Sequence, residues 1–177
     1  IALTTHATIC VWGANNNGDA IPPISFSNVV DVASGRASSF VLNADGTVVG
    51  WGDPFAPSTT TPVGLTNLIR IAAGNDHAVG LQSDSTVVAW GDDTYGQTEV
   101  PDGLTNVIAI ACGEEHTLAL KRDGSVIAWG DNSSQQCDVP NGLSGVVAIA
   151  SGSDHSLAVS SNGLVTAQID EGSAKGT

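Results

Sequence analysis

The chain has 177 residues, 41% apolar but only 5% aromatic, so a core must be built mainly from Val, Ile, Leu and Ala. Eighteen acidic against five basic residues give a net charge of -13, which opposes electrostatic binding to nucleic acid or anionic membrane and favours cations or basic partners. No apolar run reaches the ~18 residues of a membrane span, no signal peptide is visible, and the chain begins inside a repeat, as a fragment or processed product would.

Taken in order, residues 1–13 (IALTTHATICVWG) are a truncated copy of a pattern that then recurs in full. It is GRASSFVLNADGTVVGWG at residues 35–52, GNDHAVGLQSDSTVVAWG at 74–91, GEEHTLALKRDGSVIAWG at 113–130 and GSDHSLAVSSNGLVTAQI at 152–169. Each copy is two short β-rich runs about an Asp-Gly step or its equivalent, a hairpin signal. Trp12, Trp51, Trp90 and Trp129 are 39 residues apart, as are Pro23, Pro62, Pro101 and Pro140. A fixed period of this size, filled with strand signals, is a repeat array. The absence of helical periodicity favours an all-β β-propeller over a helical solenoid.

The units are 1–28 (partial), 29–67, 68–106, 107–145 and 146–169 (partial), with 170–177 as a tail or linker. That makes about 4.5 blades, expected to be four-stranded. In the unit 107–145 the inner strand is 106–112, with Ile108 and Ile110 expected on one face and Ala109 and Ala111 on the other. Strands at 117–121 and 125–129 follow, and a weak polar run at 135–139 is expected as the outer edge, ended by Pro140. The prolines of 53–62 make the matching outer strand short or irregular. The first unit lacks an inner strand and the last an outer one. They complete one shared blade in a small closed ring, or the array is an arc of a larger propeller whose edges another chain completes.

Candidate chemistry is sparse. His77, His116 and His155 share one repeat position, and convergence on a single metal would need ligands within ~2 Å of it, whereas blade spacing is on the order of 10 Å. A structural role, bonding the backbone of the adjoining strand or loop, is expected. His6, in a turn, is out of register. The tryptophans read as wedges between blades with a satisfied N–H. Cys10, Cys112 and Cys137 are scattered, neither a disulfide framework nor a zinc site, and read as small buried thiols with room for one disulfide. No nucleophile elbow, Walker loop, zinc helix, carboxylate dyad or D-x-D-x-D-G calcium loop is present, so no enzyme, cofactor or metal is expected. The loops after each Trp-Gly are the most variable polar segments, and periodicity puts all four on one rim. Asn15, Asn16, Asn17, Asp92, Asp93, Tyr95, Asp131 and Asn132 are the candidate partner-binding residues. Asn132-Ser133-Ser134 is also a glycosylation sequon.

The run GEEHTLALKRDGSVIAWGDNSSQQCDVPNGLSGVVAIASG, residues 113–152, resembles the compact repeats of the regulator of chromosome condensation superfamily, and the resemblance covers essentially the whole chain. It implies a β-propeller, usually of seven blades. Known functions include nucleotide exchange on a small GTPase, chromatin binding, ultraviolet sensing through clustered tryptophans and β-lactamase inhibition. The low Lys and Arg content argues against chromatin, and one tryptophan per blade against light sensing. Departures are Ser38 in the His position, Gln135 in the place of Gly96, and loss of the last Trp-Gly. The short unit looks most like bacterial and extracellular arrays. The expectation is therefore a non-enzymatic scaffold that binds or self-assembles with proteins in an extracellular or surface assembly. The alternative is a secreted enzyme inhibitor or carbohydrate-binding propeller, with a glycan as a further conceivable partner.

Overall fold

A computed structural model of the chain describes residues 2–3, 9–13, 15–23, 26 and 28–167. His6 and the tail 170–177 lie outside them. Every regular element described is a β-strand except a single 3-10 turn at Pro57–Thr59. Strands β1 (Ala2–Leu3) and β2 (Ile9–Cys10) form a two-stranded sheet. Four three-stranded antiparallel sheets follow. They are β3 (Val29–Ser34), β4 (Ser38–Asn43) and β5 (Val48–Gly52); β6 (Leu68–Ala73), β7 (His77–Gln82) and β8 (Val87–Gly91); β9 (Val107–Cys112), β10 (His116–Lys121) and β11 (Val126–Gly130); and β12 (Val146–Ser151), β13 (Ser156–Ser160) and β14 (Val165–Ala167). Each is one blade of a propeller.

The blades are held by four hydrophobic clusters, one per junction. Phe40 and Leu42 of β4 meet Leu68 and Ile71 of β6, with Ala78 and Trp90. Val79, Leu81 and Val87 meet Val107, Ala119 and Trp129. Val29, Val41 and Trp51 pack on Ile9, Val11 and Phe26, and Leu120 packs on Val146 and Ala158. Because successive strand residues point to opposite faces, each blade serves two junctions at once. Aromatic pairs add to two of them: Phe26 stacks on Trp51 at 5.6 Å, and Phe40 meets Trp90 edge-on at 6.3 Å.

Two expectations are corrected. The outer strand at 135–139 does not form: the segment is turns and irregular backbone, and the blades are three-stranded among the described residues. Its backbone is instead drawn into the link by side chains, Asn132 Oδ1 accepting from Cys137 N at 2.9 Å. The inner strand does not alternate as its apolar pattern suggests. Pairing with the middle strand skips one residue in every blade, at Val30, Ile69, Ile108 and Val147. This β-bulge turns Ile108 out to solvent while Val107 and Ile110 both face the preceding blade.

The arc does not close. No pairing joins the first sheet to the last among the described residues, and a shared composite blade does not form. The reason is in the inventory: both ends own a second and a third strand, so the halves duplicate rather than complement each other.

The hairpin turns follow one scheme. Asp45, Asp84 and Asp123 each accept the backbone N–H and the hydroxyl of the residue two positions on, with hydroxyl bonds of 2.6 Å. Those bonds hold all three carboxyls below the usual aspartate range. The next residue is left-handed, with φ of 82° at Gly46, 80° at Gly124 and 68° at Ser85. At Gly124 a Cβ would lie 2.9 Å from Gly145 Cα. Ser85 is therefore a misfit. Ser85→Gly should raise stability by about 0.5–1 kcal/mol, and Gly124→Ala should lower it by more than about 1 kcal/mol. Urea unfolding of both variants checks this.

Candidate interaction face: a latched rim of loops

The side chains that the repeat holds in step converge on one backbone oxygen per junction. At the third junction this is Gln97 O, which accepts from Trp129 Nε1 at 3.0 Å and from the Thr117 hydroxyl at 3.1 Å. Thr117 Oγ1 also lies 3.1 Å from His77 Nε2 of the preceding blade. Thr117 spends its proton on Gln97, so Nε2 is the donor and His77 is the Nε2–H tautomer. The last junction repeats this with His116, Ser156 and Gln136 O, at 3.1 and 2.7 Å. The first uses Ser39 and Trp51 on Asp19 O, at 2.9 and 3.0 Å. Trp90 bonds Ser58 O at 3.0 Å in the second.

That second junction explains a departure in the sequence. Where Ser38 replaces the histidine, its partner position is Ala78, which has no hydroxyl. Buried Ser58 fills the gap, 3.3 Å from the Ser38 hydroxyl. The two losses occur together because either alone would strand a buried polar group. His77 and His116 thus bond a neighbour's hydroxyl, not backbone, and each is engaged separately, while His155 is exposed. Gly74 and Gly113 sit against the His77 and His116 rings so closely that a Cβ would overlap them.

Each latch anchors a link on the rim where the inner strands end. Asp53, Asp92 and Asp131 donate their N–H groups to Ala37, Asp76 and Glu115 carbonyls, each at 2.8 Å. The candidate residues lie on this rim, but most of their polar atoms are committed to the loop itself. Asp92 accepts from Thr94 and Gln97, and Asp131 from Ser133 and Gln136. Burial pushes the Asp131 carboxyl up, yet these bonds outweigh it and leave it below its usual range. Asp93 Oδ1 holds Thr98 N, Asn132 Oδ1 holds Cys137 N, and Asn15 Oδ1 holds Ala20 N, at 2.9–3.0 Å. The Asn132 amide nitrogen, the atom a glycan would occupy, donates to Asp138 at 2.9 Å. Asn16, Asn17 and Tyr95 are exposed. Sequence reading overlooked Phe55, 91% exposed in the neighbouring link, and Gln97 and Gln136, whose buried side chains brace the loops their own carbonyls latch. A glutamine at the same repeat position, just before Thr98 and Cys137, was the available signal.

Glu115 joins two blades, accepting from Asn75 and from Gln97, both at 2.8 Å, and burial raises its carboxyl. The thiols differ from expectation in one respect: Cys10 is exposed. All three are free, and burial, with Asp131 and Asp138 beside it, pushes Cys137 up to about 11.

The "Regulator of chromosome condensation (RCC1) repeat" family model matches residues 29–55, 69–97 and 107–136. Residues 29–136 carry three RCC1 repeats. Among solved structures, Kap60 bound to yeast RCC1 (Prp20) matches at 25% identity and a TM-score of 0.70, over 83% of this chain and 45% of that one. Prp20p from Saccharomyces cerevisiae, studied for its binding to Gsp1p and histones, matches at 26% and 0.71, over 83% and 46%. The ectodomain of the Physcomitrella patens receptor kinase CR4 shares the fold at 23% and 0.70, over 94% and 46%. No curated protein matches. The array spans a little under half the length of these structures.

The latch makes the RCC1 array acid-sensitive. His77 is fully buried, its Nδ1 has no partner, and burial, reinforced by His116, lowers its pKa to about 4. A depressed histidine contributes stability that is whole above its unfolded value near 6.5 and is lost as pH falls toward 4. From pH 7.5 to 5 the loss is on the order of 2 kcal/mol. Urea midpoints at the two pH values should show it, and His77→Gln should flatten the difference. At pH 7.5, Thr117→Val should cost about 1–3 kcal/mol, since it orphans His77.

Proposed function

We propose that the array is a non-enzymatic scaffold that binds other proteins through its latched loop rim, in an extracellular or cell-surface assembly. The observation that carries this is the pairing of rigid loops with unspent surface. Most polar atoms of the Asp92 and Asp131 loops are bonded within the loop, which leaves carboxylate charge and the side chains of Tyr95 and Phe55 facing solvent. Exposed aromatics on a pre-ordered surface are the usual anchors of protein interfaces. A rim already ordered loses little conformational entropy on binding. With a net charge of -13, the partner is expected to be basic, so association is fast and weakens with salt. Protein binding by the yeast RCC1 structures, to Kap60, and in the Prp20p study to Gsp1p and histones, supports the reading. The shared fold of a receptor-kinase ectodomain is in keeping with a surface role.

The test uses a basic polypeptide, oligo-lysine bearing tryptophan, against an acidic control. Binding of the basic probe should weaken with added salt. Asp93→Asn keeps the acceptor for Thr98 and removes only charge, and with Tyr95→Ala it should weaken binding by about tenfold or more. Equal binding of both probes, or no effect of the double change, removes the rim from consideration. Tight capture of neutral oligosaccharides at Phe55 and Tyr95 would instead favour the carbohydrate-binding reading.

A further inference from the structure

Three blades each seat one indole against the blade before. Trp51, Trp90 and Trp129 are 7%, 6% and 8% exposed, and their Nε1 groups donate to Asp19 O, Ser58 O and Gln97 O, each at 3.0 Å. The walls around Trp129 include Val79, Val87, Val100, Leu104, Ala119 and Ile127. One repeat on, those six positions are Leu118, Val126, Val139, Leu143, Ala158 and Thr166. All six line a narrow apolar cleft between the β9–β11 and β12–β14 blades.

The polar part of the seat is repeated as well. Gln136 and Ser156, the counterparts of Gln97 and Thr117, line the same cleft. Gln136 O accepts from the Ser156 hydroxyl at 2.7 Å, and no indole bonds it among the described residues. The sequence has Gln168, itself outside the described residues, where the spacing puts the tryptophan. The last seat therefore has the walls and the acceptor of the others, and the chain carries no ring to place in it.

We propose that this cleft binds a small indole compound from solution. Its ring would lie against Leu118 and Ala158, which are 1% and 6% exposed, and its N–H would donate to Gln136 O. A flat apolar body with one placed donor is the chemistry that such a pocket selects. The occupant is a free ring and not a partner's side chain for a topological reason. Trp129 arrives on β11, and its counterpart β14 already fills that strand position as far as Ala167. A polypeptide from outside has no such position from which to deliver a side chain, whereas a free ring needs none. Blades beyond either end of the chain do not bear on the site, since each of these seats is built from its own blade and the one before. The exposed residues of the loop rim are not used, so this proposal and the rim can fail separately.

Titration of the 177-residue chain with indole, followed by the methyl NMR signals of Leu118, Val126 and Ala158, tests it. Those signals should shift together and saturate with a Kd of roughly 10 μM to 1 mM, the range open to so small a ligand. The Tm should rise as indole is added. 1-Methylindole, which has no N–H, should bind about threefold to tenfold more weakly. N-acetyltryptophanamide, which carries peptide groups on both sides of its side chain, should also bind more weakly than indole. Gln168→Trp should fill the seat from within, raise the Tm without ligand and abolish the shifts at Leu118 and Ala158. No saturation below about 10 mM, equal binding of the methylated ring, tighter binding of the amide, or unchanged binding by folded Gln168→Trp would overturn the proposal.

Discussion

One carbonyl oxygen per junction organises this molecule. Asp19, Ser58, Gln97 and Gln136 each turn a main-chain oxygen into the gap between two blades, and the neighbouring side chains meet there. An indole N–H binds it with the flat of the ring still inside the hydrophobic cluster, so the tryptophan contributes packing and a satisfied polar group at once. At Gln97 and Gln136 a hydroxyl also bonds this oxygen and passes the connection to the histidine of the blade before. Burial around these groups is nearly complete, which makes each hydrogen bond count for more and each missing partner cost more. Blade, link and next blade are thereby tied at one point, and the loops beyond that point inherit its rigidity.

Much of this was legible in the residues. The fixed spacing of Trp, Pro and Gly set the repeat, and alternation about Asp45, Asp84 and Asp123 set the hairpins. Trp51, Trp90 and Trp129 lie between blades with bonded N–H groups, as their type and position imply. What could not be read was two-body geometry. Nothing local marks Thr117 as the partner of His77, forty residues away, although the joint change to Ser38 and Ala78 carries that information within one chain. The bulges escaped notice for a related reason. Ile108 and Ile110 alternate properly in sequence, and only pairing to β10 reveals the skipped residue. The outer strand failed to form because Asn132 Oδ1 and the turn carbonyls of Asn132 and Gln135 gave its backbone better partners than a free sheet edge could.

The candidate rim shows how far composition can mislead about availability. A loop rich in Asp and Asn reads as a surface offering acceptors, yet most of those acceptors here close turns. What remains for a partner is net charge, delivered by carboxylates that cannot reorient, and a few aromatic side chains. The opposite rim is different in kind. There the bulged residues Val30, Ile69, Ile108 and Val147 form an exposed apolar row, one per blade, near Arg70, Lys121 and Arg122.

The histidine–hydroxyl pair has a genetic consequence. Its two members sit in successive units, so the boundary at which units are copied and the boundary at which they cooperate are offset. A tandem duplication of the unit that holds His116 and Thr117 preserves every pairing, because the new copy brings both a histidine and a hydroxyl. Duplicating the unit that holds His77 and Ala78 instead sets a histidine against an alanine, and inserting the Ser38 unit, whose Ser39 can answer a histidine at its entrance, sets a serine against a threonine or serine at its exit. Arrays of this kind should therefore lengthen by copying units that carry both members of the pair, and runs of units with His next to Thr or Ser are the expected signature.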